Sequence, residues 1–234
     1  MPHFNHTAEH SASKEEIWDW YNSLGAFRRI MPEWEGIKPM NAGRLVNDDE
    51  TVFKVGLGPI RMKWIAKHHS VVPGESFADR MMKGPFGAWN HVHNFNTVSK
   101  DVTEISDNVE YRLPFHILTG WSAGLTVLPR IRQMFNYRST RVTNDIRQIQ
   151  ATAKLARKRV LVSGSTGMIG LQLCAFLETA GHEVHRLLRV NTKLPPDVNS
   201  TQIVRWNDLT GEVVEGDMNG FDTIIHLAGA GIGD

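Results

Sequence analysis

The stretch Arg159-Val160-Leu161-Val162-Ser163-Gly164-Ser165-Thr166-Gly167-Met168-Ile169-Gly170 constrains the fold of this chain more than any other. A short apolar run enters a turn with glycines at 164, 167 and 170. An apolar helical pattern follows at once through Leu171, Leu173, Cys174, Phe176 and Leu177. Strand, glycine turn and helix in this order form the opening unit of a dinucleotide-binding sheet. The glycines have separate physical tasks: one permits the tight turn, one lets backbone amides approach a pyrophosphate, and one lets the helix pack closely on the strand. The helix N-terminus then meets the phosphate with unpaired N–H groups and the positive end of its dipole. Gly164, Ser165, Thr166, Gly167, Met168, Ile169 and Gly170 are therefore the expected phosphate cradle. A structural turn without ligand is the competing reading.

Beyond this unit the chain alternates strand and helix. Strands are expected at 159–163, 183–189, near 202–206 and at 222–227, with a helix over 168–180 capped by Gly181. This is the grammar of a parallel α/β sheet. The end of the second strand discriminates between cofactors. An acidic residue there would accept hydrogen bonds from the adenosine ribose and favour NAD, whereas this chain carries Arg189, whose guanidinium can pair with a 2′-phosphate. NADP(H) is thus expected over NAD(H); a solvated role for Arg186 and Arg189 is the alternative. The fourth strand runs into Leu227, Ala228, Gly229, Ala230 and Gly231, small residues that let the backbone approach a cofactor. Asp208 can contact adenine or serve as a plain turn residue.

The first half has a different grammar. Ser11 or Ser13 can cap a helix through Ile17, Trp18, Trp20 and Tyr21 that stops near Gly25; a short segment, Ala26 to Met31, follows. Strands are expected at about 51–57, 60–72, 76–83, 88–98, 102–106 and 107–115, with turns at Gly58-Pro59 and Pro73-Gly74. Asp107, Val109, Tyr111 and Leu113 share one face of the last strand. Over 126–153 the period changes: Ile131, Phe135, Val142, Ile146 and Ile149 mark a long amphipathic helix. Its other face carries Arg130, Arg132, Arg138, Arg141 and Arg147, read as solvated. The expected organisation is a first domain over 1–153, a basic connector over 154–158 and a second domain over 159–234.

One strand face in the first domain carries chemistry. Trp89, His91, His93 and Phe95 alternate onto the same side, with Trp64 and Tyr111 as neighbours. An aromatic face with two polar tips suits a pocket for a small apolar or amphipathic ligand; a packed core with hydrogen-bonded histidines is the competing reading. Two histidines on a strand are half of a zinc site, and no third ligand announces itself, so no metal is expected. His68 and His69 point to opposite faces.

Composition removes several classes. The 234 residues carry a net charge of +1 and no nucleic-acid motif, so nucleic acid is not an expected partner. No apolar run approaches the roughly 20 residues of a membrane span, and the first residues lack a signal peptide's basic and apolar regions. Cys174, the single cysteine, is expected to be a buried structural thiol, and a cytoplasmic location fits.

The residues 163–170, Arg189, Trp206-Asn207-Asp208 and Asp222 to Gly229 resemble the short-chain dehydrogenase/reductase superfamily in its extended and atypical branch, nearest to the sugar-nucleotide epimerase-related family. The resemblance covers roughly residues 157–234 and implies a Rossmann-type domain with a parallel sheet and a nicotinamide cofactor. Such enzymes resemble one another in a Tyr-x-x-x-Lys pair that transfers a proton and holds the ribose. Four residues beyond Tyr21, Tyr111 and Tyr137 stand Gly25, Phe115 and Arg141, so no such pair exists here and no catalytic residue is assigned. The Rossmann-type domain is expected to be truncated, with an exposed apolar strand at 223–227 prone to self-association. Residues 3–150 resemble the START-like helix-grip superfamily, which includes polyketide cyclase-like proteins, in the order strand, helix pair, antiparallel sheet and long helix. That resemblance rests chiefly on Gly84 to Phe95 and Asp107 to Pro114 and implies a cavity between sheet and helix. The expected fold is an α+β helix-grip domain followed by a truncated α/β Rossmann-type domain. The expected function is an NADP(H)-binding, epimerase-like or oxidoreductase-like protein joined to a ligand-binding domain; the alternative is a hydrophobic-ligand carrier with a structural nucleotide-binding segment.

Overall fold

A computed structural model describes residues 2–41, 44–57, 60–113, 116–198 and 202–229, apart from the side chains at 57, 60 and 116–126. Seven strands form one antiparallel sheet: β1 (His3–His10), β2 (Lys38–Asn41), β3 (Glu50–Leu57), β4 (Ile60–Val72), β5 (Ser76–Lys83), β6 (Ala88–Ser99) and β7 (Val102–Arg112), in the order β1-β7-β6-β5-β4-β3-β2. Two short helices, α1 (Lys14–Tyr21) and α2 (Ala26–Ile30), interrupt the chain between β1 and β2. A long one, α3 (His116–Ala151), follows β7.

Local chemistry explains most of these elements. The Ser13 hydroxyl accepts from the Glu16 amide at 3.2 Å and the Glu16 carboxylate accepts from the Ser13 amide at 2.8 Å, a reciprocal cap that starts α1. In α3, Ile131, Phe135, Val142 and Ile146 are buried, as their helical spacing requires. Bulges in β4 at Ile65/Ala66 and between His69 and Val72, where Ser70 takes φ 52°, let the sheet curl.

Several expectations need correction. Residues 102–112 form one strand rather than two, because Ser106 and Asp107 stay extended while pairing with β1 on one side and β6 on the other. The helix α3 begins at His116, ten residues before the periodicity becomes legible, and continues through Pro129. The short edge strand β2 was not foreseen, nor was β1 from its own residues, since histidines at its inward positions hide the alternation. The arginines of α3 are not uniformly solvated. Arg130 pairs with buried Glu35 at 2.8 Å, Arg138 lies over the Phe135 ring, and Arg141 donates to the Tyr137 hydroxyl at 2.7 Å.

The second unit is a five-stranded mixed sheet of order β11-β10-β9-β8-β12. It comprises β8 (Arg159–Ser163), β9 (Glu183–Arg189), β10 (Ile203–Trp206), β11 (Val213–Glu215) and β12 (Thr223–His226), with α4 (Met168–Thr179) between β8 and β9. The strands β10, β9, β8 and β12 are parallel, and β11 is antiparallel to β10. The short β11 was not expected. Gly181, at φ +79°, follows the end of α4 in the left-handed conformation expected of a stop signal. β12 stands at one edge of the described sheet with Ile224 56% exposed. The expected connector at 154–158 is exposed. No helix among the described residues is long and apolar enough to cross a membrane.

The two units touch through α2 and α4. Gly25, read from sequence as a helix stop, is buried against α4, and a Cβ there would lie 1.9 Å from the Ala175 carbonyl oxygen. Arg29 bridges three helices. Its Nε donates to Asp145 of α3 at 2.8 Å, its Nη1 to Gln172 of α4 at 3.0 Å, and its guanidinium lies over Phe176. Arg28 pairs with Asp197.

One buried histidine tunes the acid stability of the first unit. His10 is 1% exposed and its Nδ1 lies 2.9 Å from the Thr143 hydroxyl. Burial, with Asp107 opposing and His6 assisting, pushes its pKa down to about 4. The folded state then binds this proton less readily than the unfolded state, so stability falls as pH drops from about 6.5 towards about 4. The expected loss from this group is about 3 kcal/mol. Urea denaturation at stepped pH is expected to show a shallower acid slope in His10→Gln than in the parent; equal slopes would remove His10 from the account.

Candidate functional site

A cavity of about 400 Å³ lies between the concave face of the large sheet and the helices α2 and α3. One wall is aromatic: Phe27, Phe53, Trp64, Phe86 and Trp89 line it. Phe53 stacks on Trp64 at 5.4 Å, and Trp89 meets Trp64 edge-on at 5.5 Å. The opposite side is polar, with Tyr21, Asp79, His91, His93 and Arg138 facing the space. Of the six residues expected to line a cavity, Trp64, Trp89, His91 and His93 do so. Phe95 and Tyr111 lie on the same sheet face but are packed away from it. Phe95 sits under Trp18 and Tyr21, and Tyr111 lies against Phe86 and Trp89 in the wall behind.

The polar floor is a four-residue network across three adjacent strands. Register places Asp79 of β5 directly opposite His91 of β6, and Asp107 of β7 directly opposite His93. His91 Nε2 makes a hydrogen bond with Asp107 Oδ1 at 3.0 Å, and its Nδ1 lies 3.3 Å from Asp79 Oδ2. His93 Nδ1 lies 2.7 Å from the same Asp107 oxygen, off the line a hydrogen bond needs, and its Nε2 lies 3.8 Å from Asp79 Oδ2. The imidazoles are 3% and 6% exposed, Asp107 9% and Asp79 17%. Burial would raise the pKa of both carboxyls, but hydrogen bonds and charge from His91 and His93 outweigh it and hold them well below the usual carboxylate range. Burial would lower His91, and Asp107 and Asp79 together outweigh it and push the pKa up. Tyr21, above the network, is pushed up by burial and keeps its proton.

Sequence reasoning placed Asp107 on one strand face with Val109 and Tyr111 but gave it no role, and it missed Asp79. The signal was present in part, because Phe77 and Asp79 alternate with Ala78 and Arg80. Nothing in β5 alone says that Asp79 meets two histidines of its neighbour. The expectation that His91 and His93 lack a third ligand is corrected here: Asp79 offers a carboxylate oxygen to both.

The glycine turn follows β8. Gly164 has φ +66°, and a Cβ there would lie 2.7 Å from the Ala228 nitrogen and the Leu227 carbonyl carbon, so the turn abuts the end of β12. A Cβ on Gly170 would lie 2.2 Å from the Gly164 carbonyl oxygen. Gly167 precedes α4 and provides no side-chain cap, which leaves its first amides open to a ligand. The Ser165 hydroxyl is fully buried with no hydrogen-bond partner among the described residues. Met168 and Ile169 are 71% and 67% exposed, and Thr166 is exposed beside them. The Ser163 hydroxyl lies 2.7 Å from His226 Nδ1 and ties the ends of β8 and β12 together.

The two arginines of β9 part company. Arg189, at the strand end, has a 64% exposed side chain with its Nε 3.6 Å from Asp208 Oδ2. Arg186 is 3% exposed beneath the turn and donates to the Ser165 carbonyl at 3.3 Å and to Glu178 at 3.4 Å, so it braces the turn from below rather than facing solvent. Leu227, Ala228 and Gly229 follow β12 beside the turn; Ala230 and Gly231 lie outside the described residues. Cys174 is fully buried, and burial pushes its thiol up to about 11, so it is not poised as a nucleophile.

Comparison with known proteins gives separate matches for the two parts of the chain. Residues 160–234 match the NAD dependent epimerase/dehydratase family. A stretch of 71 residues is 42% identical to a 3-beta-hydroxysteroid dehydrogenase of Mycolicibacterium neoaurum, covering 30% of this chain and 19% of that protein. The crystal structure of a nucleoside-diphosphate sugar epimerase from Corynebacterium glutamicum superposes with a TM-score of 0.74 at 28% identity, over 97% of this chain and 46% of that one. The chain thus spans less than half of the length of these relatives. An aromatase/cyclase from Streptomyces sp. R1128 superposes with a TM-score of 0.52 at 14% identity, over 65% of this chain and 98% of its own, and shares the fold of the first unit. The chain therefore joins a helix-grip fold of the START-like kind to a segment similar to the NAD dependent epimerase/dehydratase family.

Proposed function

We propose that residues 159–229 are the cofactor-binding part of a Rossmann-type domain in an epimerase-like oxidoreductase, and that the cofactor is NADP(H). The observation that carries this is the cradle itself. Glycines 164 and 170 stand where a Cβ would strike backbone, the first amides of α4 lack a side-chain cap, and the Ser165 hydroxyl is buried without a partner. The cradle lies at the carboxyl ends of β8 and β12, where the strand order switches sides: β9 and β10 follow on one side of β8 and β12 on the other, the usual place for a dinucleotide in such parallel sheets. A bound nicotinamide would supply hydride transfer. The chain's own part is to hold the pyrophosphate on the α4 amides and to orient the adenosine beyond β9.

Arg189 supports the choice of NADP(H). Its pair with Asp208 is exposed, and exposed pairs are worth no more than about 1 kcal/mol, so a 2′-phosphate can displace the carboxylate. Titration with NADPH and NADH, followed by cofactor fluorescence, tests the reading. NADPH is expected to bind at least tenfold more tightly, and Arg189→Ala is expected to erase the difference by weakening NADPH alone. Equal binding of both by the parent would remove the preference, and binding of neither would remove the cofactor reading.

The helix-grip domain supports a second function beside the first: it holds a small apolar or amphipathic ligand. The aromatic wall supplies apolar area and the floor supplies orientation. Quenching of tryptophan fluorescence by aromatic ligands is expected in the parent and is expected to weaken in Trp64→Ala.

A further inference from the structure

The floor of the helix-grip cavity has the geometry of a metal centre. We propose that Asp79 Oδ2, His91 Nδ1 and His93 Nε2 bind a zinc-type divalent ion, with Asp107 as the carboxylate that orients both imidazoles and the cavity supplying the open fourth position.

The argument begins with the ring nitrogens. Asp107 Oδ1 lies within 3.0 Å of one nitrogen on each ring, His91 Nε2 and His93 Nδ1. A carboxylate accepts only, so in the neutral form that metal ligation requires the imidazole protons belong on those two nitrogens. The other two, His91 Nδ1 and His93 Nε2, then present lone pairs to Asp79 Oδ2 at 3.3 and 3.8 Å. In that form three acceptors face one another, whereas in the metal-free protein a proton on His91 Nδ1 can serve Asp79. A proton can join only two of them; a divalent ion joins all three.

The distances favour the ion. Ligand bonds to zinc of about 2.0–2.2 Å at tetrahedral angles put neighbouring ligand atoms about 3.3 Å apart. The Asp79–His91 edge already has this length, the Asp79–His93 edge is slightly longer, and all three ligand atoms lie within 4.8 Å of one another. Two imidazoles with one carboxylate suit zinc, cobalt or nickel better than magnesium or calcium.

The orientation of the site also decides which carboxylate is the ligand. Asp79, His91 and His93 line the cavity, whereas Asp107 lies behind the rings. A carboxylate behind a ligating histidine fixes its tautomer and raises its basicity, and its loss costs about 10- to 100-fold in metal affinity. The open position faces the aromatic chamber, so the fourth ligand is water or an oxygen of an apolar ligand, such as a carboxylate, phenolate or hydroxyl. This assignment does not depend on the dinucleotide reading, and the chamber gives it a substrate-sized space.

The test uses the full chain stripped of metal by a chelator and titrated with zinc and with cobalt(II). One ion per chain is expected to bind at micromolar concentration or tighter, and cobalt is expected to show the visible bands of a tetrahedral nitrogen and oxygen site. Asp79→Asn and His93→Ala, each checked for native circular dichroism, are expected to weaken binding at least a hundredfold. Asp107→Asn is expected to weaken it about 10- to 100-fold and to keep the cobalt spectrum. Failure of the parent to bind zinc would overturn the proposal, as would binding unchanged in Asp79→Asn and His93→Ala, which would place the ion among other histidines. NADPH binding is read on the same samples, so loss of one activity is distinguished from loss of the other.

Discussion

Replacing Arg29 by alanine is expected to destabilise the protein by about 3–5 kcal/mol, because it strands a buried carboxylate. Arg29 and Asp145 have side chains 8% and 3% exposed, and the guanidinium holds both carboxylate oxygens. Removing one partner of such a pair leaves an uncompensated charge, which costs far more than the pair contributes against an apolar replacement of similar volume. The double variant Arg29→Met with Asp145→Leu is therefore expected to recover most of the loss. Arg29→Lys keeps the charge but not the planar fork, and it is expected to fall between the two. Urea denaturation measures the stability, and limited proteolysis at 154–158 reads the second consequence. Arg29 also holds Gln172 and covers Phe176, so its loss is expected to release α4 from α2 and speed cleavage. A loss under about 1 kcal/mol would show that Asp145 is not buried as described.

Gly170→Ala is expected to weaken NADPH binding about 10- to 100-fold. The added Cβ would lie 2.2 Å from the Gly164 carbonyl oxygen and 2.7 Å from the Ser165 Cα, both backbone atoms that cannot rotate aside. Overpacking of this kind costs about 1–3 kcal/mol, and about 1.4 kcal/mol is tenfold in affinity. Relief comes only by lifting α4 from the turn, which turns its first amides away from the pyrophosphate. Equilibrium titration of NADPH against parent and variant, with circular dichroism as a check on folding, measures the effect. Gly211→Ala serves as a control, because a Cβ there meets nothing within 4 Å, although its φ of +76° carries some strain. Unchanged NADPH affinity in Gly170→Ala would mean that the pyrophosphate does not sit on this turn.

The contrast between two glycines shows how unevenly a sequence reports its structure. Gly164 is legible as a turn glycine because its neighbours on both sides carry the strand and helix patterns that explain it. Gly25 looks like an ordinary helix stop, yet its missing Cβ is what allows α2 to reach the backbone of α4, in the other unit. The arginines of β9 divide in the same way. Arg189 lies at the strand end that local pattern locates, whereas the burial of Arg186 depends on the helix and turn that fold over it. On α3 the apolar stripe is legible, but the partners of Arg130, Arg138 and Arg141 come from elsewhere in the first unit or from neighbours on the helix.

Periodicity and glycine placement were sufficient for the helix α4, the strands β8 and β9 and the aromatic face of β6, because each depends on contacts between residues near in sequence. The floor of the cavity was decided only by tertiary structure. Asp79, His91, His93 and Asp107 meet because β5, β6 and β7 pair in one register, and a slip of one residue would turn the acids to the opposite face. Register is a property of the whole curled sheet, so no single strand could have shown that its two histidines stand between two carboxylates.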